Sequence, residues 1–208
     1  MNRKDLIALV ADKNMETALQ GILERPKALG IHPITFDIFV HPERDPGVLR
    51  RAHDFLRPYA GGYRYGLVMF DYQGCGDERE ISVLQNEVQQ RLNESGWQER
   101  SRVIILNPEL EVWVWSDSPH VATIFGFNSR SELDAFLQEQ EVAFSSHGKP
   151  LQPKEAMETA LRENKIPRSS SLYHELAQKV SLKRCVEPSF AQLKKTLRQW
   201  FPEKEVRP

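Results

Sequence analysis

Cysteine is nearly missing from this sequence: Cys75 and Cys185 are the only two in 208 residues. Two thiols build no disulfide framework, so the expectation is a reduced, cytoplasmic protein. Long hydrophobic runs are missing too. With no 18-residue apolar stretch, no membrane-spanning helix is expected and no membrane is among its partners. The short run LIALVA ends at Asp12 with no small-residue cleavage site after it, so a signal peptide is not expected. Charge of one sign is also lacking. With 28 basic against 29 acidic residues and a formal charge of −1, no global field drives the chain onto nucleic acid, although local patches still can. There are no internal repeats and no low-complexity segments. What is present suffices for one sizeable α/β core with a helical appendage.

Hydrophobic patterning predicts strands over 6–11, 34–40, 65–70 and 102–106 and helices over about 14–29, 45–58 and 78–95. Asn14 reads as an N-cap, Gly30 as a helix stop, and Asp45-Pro46 as a helix start. The segment 108–126, with Val112, Trp113, Val114 and Trp115, suits a strand or a helix; Pro108 followed by two glutamates favours helix. From residue 129 the pattern changes to short amphipathic helices: one around Leu133 and Leu137, then 153–164, 170–180 and 189–200. The organisation expected is an α/β domain over 1–128 and a helical extension over 129–208 packed on it. Alternating strands and helices imply about four mostly parallel strands with right-handed crossovers. In such sheets catalytic groups collect at the carboxyl ends of the strands.

Acids fall at those ends. Asp12 closes the first strand, with Glu16 one helical turn later on the same face. The second strand leads into His41, Glu43, Arg44 and Asp45. The third ends at Asp71, with Asp77 and Glu78 beyond a glycine loop, and the fourth is followed by Glu109 and Glu111. Clustered carboxylates raise one another's pKa values unless a cation neutralises them. Oxygen ligands without a cysteine–histidine set suit Mg2+ or Mn2+, and the chemistry that follows is metal-assisted phosphoryl transfer or phosphodiester cleavage. Asp12 and Asp77 equally suit helix capping. Asp71 directly ends an apolar strand, where a carboxylate without a partner bears a desolvation cost. Glu109 and Glu111 lie two apart, so on a helix only one turns inward, and Glu111 is the expected one.

Between Asp71 and these acids lies Gly74-Cys75-Gly76. A thiol near a helix start is activated by the dipole, but no histidine base is close in sequence, and a small residue in a tight loop is the simpler reading. Gly74 and Gly76 would let backbone N–H groups approach a phosphate. Lys13, Arg44 and Arg79 could supply positive charge beside the acids, and Lys13 and Arg44 are candidate phosphate contacts. His41 and His120 read as loop histidines.

LVADKNME resembles the opening motif of Toprim-type domains, with Asp12 and Glu16 matching the two acids and Lys13 replacing the glycine. MFDYQGCG resembles the second Toprim motif, an Asp-x-Asp, with Asp71 at the first acid and Gln73 at the second. In PELEVWVWSD, Glu111 and Trp113 match a Pro-x-x-Glu-x-Trp segment of Toprim-like proteins in bacterial defence loci. The ordered set ALVADKNME, PITFDIFVHPERDPG, LVMFDYQGCG and PELEVWVWSDSPHV, over roughly the first two-thirds of the chain, is similar to a component of the methylation-associated antiphage defence system. The resemblance implies a Toprim-like fold and a metal held by Glu16, Asp71, Glu111 and Asp12, with Glu16 as general acid or base. It also implies work beside other defence proteins, a DNA methyltransferase among them. The helical tail, through Lys194, Lys195 and Arg198, would then bind DNA or a partner. The alternative is a degenerate scaffold that binds a partner through the Trp-rich segment and the tail, which the Gln73 and Lys13 departures favour.

Overall fold

In the computed structural model, residues 3–146 and 148–203 are described; residues 147 and 204–208 of the expected extension lie outside them. Strands β1 (Lys4–Val10), β2 (Phe36–Val40), β3 (Tyr63–Asp71) and β4 (Ser101–Leu106) form one all-parallel sheet in the order β2-β1-β3-β4. Both central strands carry unbroken buried runs, Leu6 to Val10 and Leu67 to Phe70, as strands covered on both faces must. The chain leaves β1 toward β2 and then returns on the other side as β3. The crevice beyond the carboxyl ends of β1 and β3 is therefore the topological switch point, where ligands of open parallel sheets bind. Val10 is level with Met69 and Asp71 with Leu106, so Asp12, Asp71 and the Glu109 loop lie at one edge.

One face is covered by α3 (Arg44–Leu56), packed on β1 and β3, and α4 (Ile81–Leu92), packed on β4. The other face is covered by α1 (Lys13–Leu23), α8 (Ser170–Lys179) alongside it, and α9 (Pro188–Trp200) against β4. Consecutive residues of β3 mark the two faces. The Tyr65 ring stacks on Trp200 at 4.6 Å, while Gly66 faces Trp97 on the opposite side. One hydrophobic core contains residues of the sheet and of the last helices alike.

Several elements depart from the sequence expectation. The helix over 14–29 is broken ahead of Pro26, because the residue before a proline is driven out of the helical region; α2 (Pro26–Leu29) is a separate turn. The N-cap of α1 is Asp12, which accepts from Met15 N at 2.8 Å, and not Asn14. Asn14 Oδ1 instead accepts from Ser170 Oγ at 2.9 Å, tying α8 to α1. Helix α4 begins at Ile81 rather than 78, since Tyr72 Oη donates to the carbonyls of Glu78 and Arg79 and holds them in the loop. The segment after β4 is a 3-10 turn over Leu110–Trp113, followed by α5 (Pro119–Ile124). Two further helices, α6 (Arg130–Glu139) and α7 (Pro153–Glu163), lead back to α8. The Trp-rich segment is no exposed partner surface. Trp113 and Trp115 are buried, with their Nε1 groups donating to Ser189 Oγ and Pro153 O.

The α1–α8 crossing depends on Gly21. A Cβ there would lie 2.8 Å from Ala177 Cβ and 3.0 Å from His174 O. Helix propensity alone predicts that Gly21→Ala stabilises by about 0.5–1 kcal/mol, whereas overpacking costs about 1–3 kcal/mol. The contact decides: Gly21→Ala lowers the urea midpoint, and adding Ala177→Gly recovers part of the loss, which is read as a favourable coupling in the double-mutant cycle.

Candidate functional site

Asp71 is the centre of the acid cluster. Burial comes first in pushing its carboxyl well above the ordinary range, followed by the charges of Asp45, Glu111, Asp12 and Glu109. Its Oδ1 is buried with no hydrogen-bond partner. Its backbone N–H donates to Asp45 Oδ1 at 2.8 Å, which locks the start of α3 to the end of β3. Burial raises Asp45 as well, against the lowering effect of that N–H, and Asp12 adds to the rise. The loop carrying Asp45 is fixed by His41. That ring is buried, its Nδ1 accepts from Glu43 N at 3.1 Å, and it lies where a Cβ on Gly47 would be, 2.2 Å away. Only glycine permits that approach. His41 is thus a packed support for the loop, and His120 is exposed on α5.

Glu109 and Glu111 both turn inward. The expectation that only one would do so presumed a helix; Glu109 is in fact extended ahead of the 3-10 turn, so the two are not held to helical spacing. Both are buried, and both meet cations from the C-terminal region. Glu109 accepts from the Lys154 backbone N–H at 3.2 Å, with Lys154 Nζ at 3.5 Å. Burial, then Glu111, raise its carboxyl, and Lys154 opposes them. Glu111 accepts from Arg168 at 2.8 Å and from the Tyr173 hydroxyl. Burial and then Glu111 push the Tyr173 phenol far above its ordinary range.

The remaining expected residues fall less centrally. Glu16 is half-buried and ion-paired with Lys13 at 2.7 Å, and it is not among the four carboxylates that bear most on Asp71. Asp77 does not join the cluster either. It turns to Arg79 and caps the Arg79 N–H, and Arg79 lowers it to about 2. Cys75 is fully buried, its Sγ lies 3.4 Å from Asp77 O, and burial raises its thiol, the opposite of activation. Gly74 and Gly76 have φ of 94° and 79° on an exposed loop, and Gln73 is exposed beside them. Above the acids opens a cavity of about 290 Å³ lined by Asp12, Lys13, Asn14, Arg44, Lys154 and Arg168; neither glycine lines it. In the tail, Arg198 donates to Leu29 O and Lys194 to Leu182 O, so both serve the fold.

Sequence reasoning placed Asp45 and Glu109 among the converging acids but chose neither as a ligand, and it passed over Lys154 and Arg168. Nothing local marks Lys154 or Arg168. Among the described residues, no group of three or more histidine, cysteine or acidic side chains is arranged as a ready metal cage.

A carboxyl raised by folding holds its proton longer in the folded than in the unfolded chain. Its contribution is therefore most favourable below the unfolded aspartate value of about 3.9 and is lost as pH rises toward the folded value. Asp71→Asn removes that loss. Without divalent cations, the variant gains stability on the wild type as pH rises from about 4, and at pH 8 it is more stable by about 1 kcal/mol or more, or about 2 °C in Tm. Thermal melts across pH 4–8 check this; a variant less stable than wild type at pH 8 contradicts it. Comparison with protein-family models, with curated proteins and with solved structures finds no match to the chain.

Proposed function

We propose that the carboxylates at the β1–β3 crevice bind Mg2+ or Mn2+, and that the protein uses the ion for nuclease or phosphoryl-transfer chemistry on nucleic acid within an antiphage defence system. The reading is carried by Asp71 Oδ1, buried and unpartnered among four further acids. Such a group is costly unless a cation meets it. Mg2+ needs only one or two protein carboxylates, keeps several waters and fills its shell from substrate phosphates. Asp71 and Asp45 are the carboxylates that would hold it, with Asp12 beside them. Asp12 serves two ends, since it also caps α1. When bound, the ion polarises a phosphoryl oxygen and supplies an activated water. The chain's own part is positional. Asp71 N–H orients Asp45, Arg168 and Tyr173 hold Glu111, and Lys13 and Arg44 set positive charge at the mouth. The ordered likeness of four segments to a methylation-associated defence component supports the biological setting.

A second reading, a scaffold without catalysis, draws on a different observation. Arg168 and Tyr173 already satisfy Glu111, and Lys154 attends Glu109, so internal cations stand in for part of what an ion would supply. Calorimetry separates the readings. Wild type takes up Mn2+ or Mg2+ at millimolar concentration, and Asp71→Asn, folded and no less stable, does not. If wild type gives no binding heat while Asp71→Asn still co-purifies with the other defence proteins, the scaffold reading replaces the enzymatic one.

A further inference from the structure

We infer that the cavity above the acid cluster is a subsite for a terminal phosphate, the monoester end of a nucleotide or of a nucleic-acid strand, and that Arg44 is its main ligand. The inference deepens the reading of the same site as one for phosphate-bearing substrates and rests on it for the substrate class. Three of the four cations lining the cavity are already engaged: Lys13 with Glu16, Lys154 with Glu109, and Arg168 with Glu111 and Glu158. Arg44 is different. Among the described residues its guanidinium has no ion pair or hydrogen bond, and it is exposed on the cavity wall.

The backbone of Arg44 points the same way. Its φ is 52°, in the left-handed region that costs an L side chain energy. Glu99, Glu141 and Lys165 also have positive φ. Glu141 and Lys165 follow the ends of α6 and α7, the position where a left-handed residue closes a helix, and Glu99 is the third residue of a turn closed by Arg100 N–H on Trp97 O at 3.0 Å. Arg44 instead closes the His41–Arg44 turn, its N–H donating to His41 O at 3.1 Å, and opens α3. Glycine would hold this left-handed backbone at less cost. What the side chain offers is a planar five-donor fork suited to phosphate oxygens.

The arrangement favours an end over an internal phosphate. The cations come from three separate segments, the β1–α1 junction, the β2–α3 loop and the region from α7 to α8, and they converge on one cavity. Proteins that hold single strands without regard to their ends use a groove that follows the backbone. A monoester brings a charge near −2 and three acceptor oxygens. It can therefore offer oxygens to Arg44 and to the neighbouring cations at once.

The test is equilibrium binding in EDTA of three otherwise identical short oligonucleotides, 5′-phosphorylated, 3′-phosphorylated and unphosphorylated. A terminal phosphate tightens binding at least tenfold at one end. Arg44→Gly abolishes that discrimination while its Tm stays at or above the wild-type value, which separates lost contact from lost fold. Equal affinity for all three strands overturns the inference, as does discrimination that survives in Arg44→Gly. A nucleoside monophosphate competitor then assigns the source: effective competition points to free nucleotide, and its failure to a strand end. Because no divalent ion is present, a negative result leaves the calorimetric test of cation binding untouched, and the reverse holds equally.

Discussion

Five carboxylates at one sheet edge set the terms for the rest of this molecule. Asp12, Asp45, Asp71, Glu109 and Glu111 arrive there from the ends of three strands and one loop. Each loses solvation on folding, and each opposes ionisation of the next. The fold answers them unequally. Glu109 receives the first turn of α7, whose backbone N–H groups carry the positive end of the helix dipole, and Glu111 receives a guanidinium and a phenol. Asp12 caps α1, and Asp45 accepts the Asp71 N–H. Of the five, Asp71 alone has a fully buried oxygen without a hydrogen-bond partner. Ionising Asp71 is therefore the step that the fold opposes most strongly in this cluster.

The helices after residue 129 are therefore not an accessory to this edge. α8 lies along α1, held by Thr17 Oγ1 on Ser170 O, Ser170 Oγ on Asn14, and Arg25 on the last carbonyls of α8. α9 fills the face over β3 and β4 with Trp200 and Phe201 against Tyr65. Lys154 and Arg168 reach the acids because these helices are docked. Removing one partner of a buried ion pair such as Glu111–Arg168 costs about 3–5 kcal/mol. Loosening α8 thus exposes apolar surface and strands Glu111 at the same time, so the core and the site stand or fall together.

The sheet was legible in the sequence because continuous apolar runs bounded by glycine, proline and acids leave little choice but buried parallel strands. The edge where acids gather was legible for the same reason: Asp71 ends such a run. Two things were not. Element starts moved wherever a side chain bonded back to the chain, as Asp12 does to Met15 and Tyr72 to the 78–79 carbonyls. The compensating cations were hidden because Lys154 and Arg168 lie 45 and 57 residues from the carboxylates they meet. Periodicity reports which face of a helix is apolar, not which distant carboxylate its first residue will find. Glu109 was misjudged through one wrong element, since inward and outward at a two-residue separation depend on whether the backbone is helical or extended.

Several local rules are broken together at this edge. A non-glycine residue opens a helix with φ of 52°, the next residue is a half-buried aspartate with a raised pKa, and that aspartate is tied to the strand-ending acid whose oxygen has no partner. Each violation alone has an ordinary cost of about 1–3 kcal/mol. Relief by a single substitution is available for at least two of them: glycine for Arg44, asparagine for Asp71. The first would remove the unpaired guanidinium and the second the ionisable carboxyl, leaving an easier fold without either group. The unpaired guanidinium and the unpartnered carboxyl oxygen are thus two local costs with no return inside the fold, which the proposed phosphate and cation would answer.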